Sequence, residues 1–569
     1  MKRVLSFLRP QAGRTALQIG IKFASTLLEL FLPWILEHII DDIAPAGDRK
    51  QLLLWGALML VCALFVFFSA AAANRMATGI AAAFTRSLRH SLFGKVTKLS
   101  SEQVDKFTVP SLISRLSSDT YRVNDMVDRM LRLGIRAPIL LIGGLLVSAL
   151  MEPVLALVFL CALPLIGGML LLVSRRSIPL YAKAQEAGEE LVRRIQENMT
   201  GVRIIKALSR TEDEKARFSA ANETAVRTDR RAETTMAVAN PLMGILLNIG
   251  MAVVIVVGAF RVDRGLTEPG KIIAFLNYFV ILQNGLLGIT RIFTICSRGI
   301  ASGKRLGEVL DAPERVTPPP PAEAAPKGAV AFSHVSFSYN KVKPNIRDLS
   351  FTLDRGQTLG IIGPTGSGKS TILQLLLRFY EPDEGHIYID GQPLSQLSEE
   401  DVYGRFGVVF QNDFLFADSV LENLDFERVV SEADRELAVD TAQAGYLRTL
   451  PQGLKTDLSE RGMNLSGGQR QRLLIARALA TRPKILLLDD CSSALDYRTD
   501  AGLRQALRAS YGDTTKIIVA QRISAIRHAD LILVLEEGQV VGRGTHEELL
   551  KTCPMYRELY EMQMGEAAA

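Results

Sequence analysis

The stretch Gly363-Pro-Thr-Gly-Ser-Gly-Lys369-Ser370 has the residue types and spacing of a loop that cradles phosphates. Gly363, Gly366 and Gly368 let backbone N–H groups close around anionic oxygens, with Pro364, Thr365 and Ser367 filling the turn. Lys369 reaches the terminal phosphates, Ser370 is placed to ligate Mg²⁺, and Thr371 continues into the apolar helix TILQLLLRFY. The N-terminus of that helix adds a partial positive charge. Further along, the apolar run Ile485–Leu488 ends in two acids, Asp489 and Asp490. A buried strand that ends this way delivers carboxylates to a metal or a reacting phosphate. Asp489 is expected to be the magnesium-side carboxylate, its strand lying beside the phosphate loop. The chemistry implied is binding of a nucleotide with Mg²⁺ and hydrolysis at its terminal phosphate.

Such a loop must join a strand to a helix, and the flanking sequence has that form. AVAFSHVSFSY alternates as a strand does, and DLSFTLDRGQTLGIIG reads as an apolar strand entering a glycine turn. Strands and helices then alternate to about residue 545, the pattern of an α/β core.

The preceding half is of another kind. Six apolar runs, at about 16–40, 51–73, 133–150, 153–173, 238–260 and 271–294, approach the roughly 20 residues that cross a bilayer. Met151-Glu152-Pro153 separates the third from the fourth, a tight hairpin. The connections Asn74–Arg132 and Ser174–Met236 are long, polar and helical in composition. Lys2, Arg3, Arg9 and Arg14, with the basic residues of both long connections, place the N-terminus and these connections in the cytoplasm. An even number of spans returns the second half to the same side of a cytoplasmic (inner) membrane. The net charge of +6 is thus explained by membrane flanks, and no nucleic-acid partner is expected. The five cysteines are scattered without CxxC spacing, which argues against a zinc site or disulfide framework. The N-terminus reads as a basic amphipathic lead-in rather than a removable signal. TPPPPAEAAPKG, Thr317–Gly328, is a semi-rigid boundary. The expected domains are a membrane domain at 1–310, a linker at 311–328 and a nucleotide-binding domain at 329–569.

Between the phosphate loop and the two acids stands Leu465-Ser466-Gly467-Gly468-Gln469, opening a helix. This LSGGQ run, with the phosphate loop and six spans ahead of one cassette, resembles the ABC exporter half-transporters over essentially the whole chain. The implied fold is an all-α six-helix transmembrane domain followed by an α/β P-loop NTPase cassette. In that family two cassettes sandwich two ATP molecules, each between one P-loop and the opposite signature. The resemblance implies that Tyr339 stacks on adenine, Gln411 is the Q-loop contact near Mg²⁺, and Asp496 is the D-loop aspartate. Phe107 and the segment near Thr211–Glu212 are expected to touch the cassettes and transmit their closure.

Two positions depart from the family pattern. Asp490 stands where glutamate is usual, its carboxylate on a stem one methylene shorter. Gln521, in Val519-Ala-Gln521-Arg522, stands where the switch histidine is usual. It can donate a hydrogen bond but cannot become a cation. A displacement of about 1 Å can cost on the order of 10²-fold in rate. The site on this chain's own P-loop is therefore expected to bind ATP and hydrolyse it slowly, while its intact signature completes a partner's site. This resembles the degenerate-site subunit of heterodimeric bacterial multidrug exporters, which implies a second half-transporter as partner and amphipathic small molecules, drugs or lipids, as substrates. An ATP-binding regulatory or channel-like subunit is the alternative, and the intact signature argues against it. In the membrane half, Glu29 is a functional candidate by its depth, or else faces a wet cavity or pairs with Lys22. Glu37 and His38 lie towards the outer end. Asn240, Asn248, Asn277, Gln283 and Asn284 line a polar path or bond neighbouring helices.

Overall fold

The computed structural model describes residues 1–313 and 326–566. The expected linker at 311–328 therefore lies, from residue 314 to residue 325, outside the described residues. The chain forms two compact units, one of Met1–Lys98 with Thr108–Ala312, the other of Leu99–Phe107 with Pro313–Ala569.

The first unit is helical. Each of the six apolar runs falls on a helix: Ala12–His38, Arg49–Val96, Arg136–Met151, Pro153–Thr200, Ala239–Asp263 and Pro269–Leu310. Among the described residues, four helical stretches are apolar enough over sufficient length to cross a membrane: Lys2–Ala46, Arg49–Val96, Val109–Met151 and Thr211–Asp263. The fourth expected span carries a shorter apolar helix, Pro153–Met169. The helix Arg49–Val96 starts where the Asp48 side chain accepts from the N–H groups of Lys50 and Gln51. Its 48 residues extend about 72 Å at a rise of ~1.5 Å per residue, so it outruns a hydrocarbon core of ~30 Å. Leu53, Phe67 and Phe68 on its apolar half are exposed, as a lipid-facing surface requires. The expected hairpin has a physical cause. Glu152 is extended (φ −154°, ψ 95°) ahead of Pro153, the backbone that a following proline favours. Arg261 donates to the buried Glu152 carboxylate at 2.9 Å.

The core of this unit includes Leu30, Leu140, Phe159, Phe275 and Phe279. Phe159 stacks on Phe275 at 5.2 Å and meets Phe279 edge-on at 4.6 Å. Glu29 pairs with Arg136 at 2.6 Å, not with Lys22. Lys22 and Glu29 are two turns apart on one helix, about 10.5 Å along its axis, and the Lys22 ammonium instead donates to Asn74 Oδ1 at 3.2 Å. His38 pairs with Asp42 at 2.6 Å. Asn277 donates to Ile273 O of its own helix at 3.0 Å. Gln283 borders a small apolar cavity with Phe159, Met243 and Phe279. Asn248 and Asn284 are exposed, and the Asn240 side chain lies outside the described residues. Thr211 and Glu212 open the helix Thr211–Ala237.

The second unit holds two sheets. β1 (Val330–Phe337), β2 (Ile346–Leu353), β4 (Glu384–Ile389) and β5 (Gln392–Pro393) form an antiparallel sheet in the order β2-β1-β4-β5. β3 (Thr358–Ile362), β6 (Phe406–Val409), β7 (Ile485–Asp489), β8 (Thr515–Val519), β9 (Leu531–Glu536) and β10 (Gln539–Gly544) form the other, in the order β10-β9-β3-β8-β7-β6. All its pairings but β9–β10 are parallel. Runs such as ILLLD are buried along their whole length, as strands covered on both faces are. DLSFTLDRGQTLGIIG, expected as one strand, is two. β2 and β3 are divided at a turn where Gly356 adopts φ +77°, a backbone that opposes a continued strand. Helix Ser101–Phe107 belongs to this unit, and Gln103 Nε2 donates to Pro313 O at 2.9 Å.

Candidate functional site

Parallel order brings the C-terminal ends of β3, β8, β7 and β6 to one edge of the sheet, where open α/β sheets bind ligands. The loop after β3 carries the glycine-rich run, β7 ends in Asp489 and Asp490, Gln521 follows β8 and Gln411 follows β6. One cleft is accordingly lined by Thr365, Gly366, Gly368, Lys369, Ser370, Thr371, Gln411, Asp489, Asp490 and Gln521. β7 is not the immediate neighbour of the phosphate-loop strand. β8 lies between them, so the two are two strand spacings apart, about 9.6 Å. The gap is bridged by side chains, and the Ser370 hydroxyl hydrogen-bonds Asp489.

The glycines have steric reasons. A Cβ on Gly363 would stand 2.1 Å from Leu535 O. Gly368 adopts φ +99° as the N-cap of the helix Lys369–Leu376, and a Cβ there would stand 2.6 Å from Asn345 O. Ser367 Oγ is buried with no hydrogen-bond partner. Lys369 Nζ donates to Gly363 O at 2.9 Å and Pro364 O at 2.8 Å, two neutral carbonyls. Burial holds this ammonium below its ordinary range, against the pull of Asp489 and Asp490. A cation so partnered favours an incoming anion. The Asp489 carboxyl is raised by burial, opposed by Ser370 and Lys369. A hydroxyl and a carboxylate in contact, with Gln411 bordering the same cleft, form the oxygen donor set that suits Mg²⁺.

Asp490 has φ +48°, a left-handed backbone that aspartate tolerates better than most residues. Its N–H donates to Val519 O at 2.9 Å and its carbonyl accepts from Ser493 Oγ at 2.9 Å. Its Oδ2 accepts from Gln521 Nε2 at 2.9 Å. The Asp490 carboxyl is raised by burial and then by the Asp489 charge.

The remaining candidates lie outside this cleft. Tyr339 follows β1, and its hydroxyl bonds Gln374 and, at 3.3 Å, Thr371, both on the helix Lys369–Leu376. Ser466 and Gln469 form a reciprocal capping box at the start of the helix Gly467–Leu479. Gln469 N donates to Ser466 Oγ at 3.3 Å, and Ser466 N to Gln469 Oε1 at 2.9 Å. Ser466 and Gly467 are exposed, Leu465 is buried, and Gly468 passes so close to Ala494 O that a Cβ would stand at 3.2 Å. Exposed Asp496 caps the helix Tyr497–Ser510 by accepting from Thr499 N, which holds its carboxyl below the ordinary range. Sequence reasoning missed Asn345, which lines the cleft and accepts from Tyr339 N at 3.2 Å. It stands in a loop without periodicity. It also missed Tyr446, whose hydroxyl donates to Gln469 O at 2.7 Å while Arg472 lies 4.8 Å above its ring.

This is a nucleotide-binding cassette following a helical membrane domain. The ABC transporter transmembrane region matches residues 15–286 and the ABC transporter domain residues 346–493. The chain belongs to the ABC transporter family, as an exporter half-transporter whose ATPase is coupled to transport across a membrane it crosses several times. An uncharacterised ABC transporter ATP-binding protein of Bacillus subtilis, YfiB, is 33% identical over 99% of each chain. Another Bacillus subtilis protein, named "Probable multidrug resistance ABC transporter ATP-binding/permease protein YheI", is 32% identical over 99% of this chain and 97% of its own. The structure of a bacterial Atm1-family ABC exporter with ATP bound superposes with a TM-score of 0.82, covers 98% of both chains and is 26% identical.

Proposed function

We propose that the chain is one half of a heterodimeric exporter of amphipathic small molecules, with a slow ATP site on its own P-loop and an intact signature that completes a faster site on its partner. The bond between Gln521 and Asp490 carries this reading. The side chain at the switch position is a neutral amide, and it donates to the shortened carboxylate that would receive a proton from attacking water. In this reading Gly363 to Thr371 hold the phosphates, Tyr339 meets adenine, and Ser370, Gln411 and Asp489 hold Mg²⁺. Bound there, Mg²⁺ would supply Lewis-acid polarisation of the phosphate oxygens. Asp490 and Gln521 orient the water, with less force than a longer base and a cationic switch. Leu465 to Gln469 and Asp496, none of which lines the cleft, serve the partner's nucleotide, with Ser466, Gly467 and Asp496 exposed. The membrane domain is residues 1–310 and the cassette 329–569, both cytoplasmic ends on one side. A relative at 32% identity, named as a probable multidrug resistance transporter, supports drugs within that class of cargo.

The test is ATPase per protein of the full chain purified alone and with the half-transporter from a neighbouring open reading frame. We expect slow turnover alone and a large rise on pairing. Equal turnover of this chain as a homodimer would sink the proposal.

A further inference from the structure

Val519 closes β8, and the sheet still holds the residue after it: Ala520 N donates to Ile361 O at 3.1 Å. Beyond that the ladder stops. Gln521 and Arg522 turn into the short helix Ile523–Ile526, and its N-cap residue, Arg522, offers no side-chain cap to the free N–H groups of the first turn. The missing acceptor comes from the last helix of the cassette. Gln563 Oε1 accepts from Ile523 N at 2.8 Å, and Gln563 Nε2 donates to Gln521 O at 2.9 Å. One planar amide thus brackets Arg522. Reversed, it would set donor against donor and acceptor against acceptor, so the backbone it holds also fixes its orientation.

Gln563 is placed there by the helix Pro554–Glu566. Tyr556, Leu559, Tyr560 and Gln563 follow the i, i+3, i+4, i+7 spacing that puts side chains on one helix face. The first three join a core with Ile362, Ala520, Ile523 and Ile526. Tyr556 is fully buried, and its hydroxyl hydrogen-bonds His546 Nδ1 at 2.8 Å. The stripe ends in an amide where it meets the turn after β8. An apolar side chain there would cover the same surface and satisfy neither backbone group.

We propose that Gln563 is a positioning residue for the site on this chain's own P-loop: it fixes the turn after β8 so that the Gln521 amide points at Asp490. The carbonyl held by Gln563 and the amide that donates to Asp490 Oδ2 at 2.9 Å belong to the same residue. Holding that carbonyl and Ile523 N resists rotation on both flanks of Arg522, and so limits the swing of the Gln521 side chain. Gln563 itself does not line the cleft. Placement matters there, since a shift of about 1 Å can cost on the order of 10²-fold in rate. The inference rests on the reading of that cleft as an ATP site.

The test compares the full chain with Gln563→Met, which keeps the length of the side chain and loses both bonds. In the nucleotide-free protein, hydrogen exchange read by mass spectrometry should quicken over 519–527 by about fivefold, the worth of one hydrogen bond. Exchange over 363–371 should not change, and binding of labelled ATP in EDTA should be equal in the two proteins. With Mg²⁺, kcat should fall about tenfold at an unchanged KM. In a Gln521→Ala background, Gln563→Met should lower kcat by less than about twofold, because the side chain it aims is gone. Unchanged exchange over 519–527, an unchanged kcat, or an equal tenfold fall in the Gln521→Ala background each overturns the proposal. So does a chain that binds ATP and never hydrolyses it, since the turn then has no rate to set. If the unaltered chain binds no ATP, the ATP-site reading itself falls, and this inference with it.

Discussion

Gln521 Nε2 stands 2.9 Å from Asp490 Oδ2 and donates to it. The amide thus occupies one lone-pair direction of the carboxylate proposed to accept a proton from water. Both residues lie at strand ends on one edge of the parallel sheet, so neither needs to move for the bond to form. A histidine there could become a cation; the amide stays neutral.

The first prediction concerns pH. The Asp490 carboxyl is raised by burial and by Asp489, with Arg522 and Lys369 opposing. A raised folded value means that the folded chain binds more protons than the unfolded one between the two values. Its contribution to stability therefore falls as pH rises through that window. Asp490→Asn keeps an acceptor for Gln521 without the charge. It should raise the melting temperature of the nucleotide-free protein at neutral pH by about 1–3 °C, and the gain should shrink as pH falls through the raised carboxyl value. Melting curves of both proteins from neutral to acid pH decide it. A gain that grows in acid contradicts the assignment.

A second prediction concerns restoring the site. Asp490→Glu with Gln521→His lengthens the base and supplies a switch able to carry charge. In a heterodimer whose faster site is disabled at the partner's base, the double variant should raise steady-state ATPase by about 10- to 100-fold. Coupled transport need not improve, since a slow site can hold the dimer closed between cycles. No gain would mean that the partner's signature limits this site.

The P-loop, the two acids and the signature were legible because each needs a fixed residue at a fixed spacing. Gly368 is glycine because Asn345 O occupies the space of a Cβ, and Lys369 follows it as the first helical residue. The membrane helices were legible from apolar length alone. Strand order was not, because nothing local in ILLLD or TKIIV says that β8 lies between β3 and β7. That order is fixed by how helices cover the sheet. The Glu29 partner was also hidden, since Arg136 is remote in sequence and reaches Glu29 only through helix packing.

The Glu29–Arg136 pair yields a third prediction. Arg136 donates twice to Glu29, at 2.6 and 3.2 Å, and both side chains are partly buried. Glu29→Ala leaves a guanidinium without its acceptor and should cost roughly 1–3 kcal/mol, less than a fully buried pair because water screens it in part. Removing both charges, Glu29→Ala with Arg136→Ala, should recover most of that loss. Thermal unfolding in detergent of the single and double variants measures it. Strictly additive losses would show that the pair does not couple.

The last prediction separates the two ATP sites. If this chain's signature serves the faster site, Ser466 matters more to turnover than Asp490. Ser466 also caps its helix, so a crude substitution would confuse loss of the cap, about 1 kcal/mol, with loss of phosphate contact. Ser466→Asp resolves this, because aspartate is as good a cap but sets a negative charge against the partner's γ-phosphate. Ser466→Arg adds bulk at the same point and loses the cap. Both should collapse ATPase and transport in the heterodimer, while the melting temperature falls only in the arginine variant. Asp490→Asn removes a base already short by one methylene from the slow site. Loss of a governing base costs about 10²–10⁴-fold, but here the partner's base governs, so most turnover should remain. Steady-state ATPase of the three variants, each shown to bind nucleotide, gives the answer. If Asp490→Asn abolishes turnover and Ser466→Asp spares it, the two sites are assigned the wrong way round.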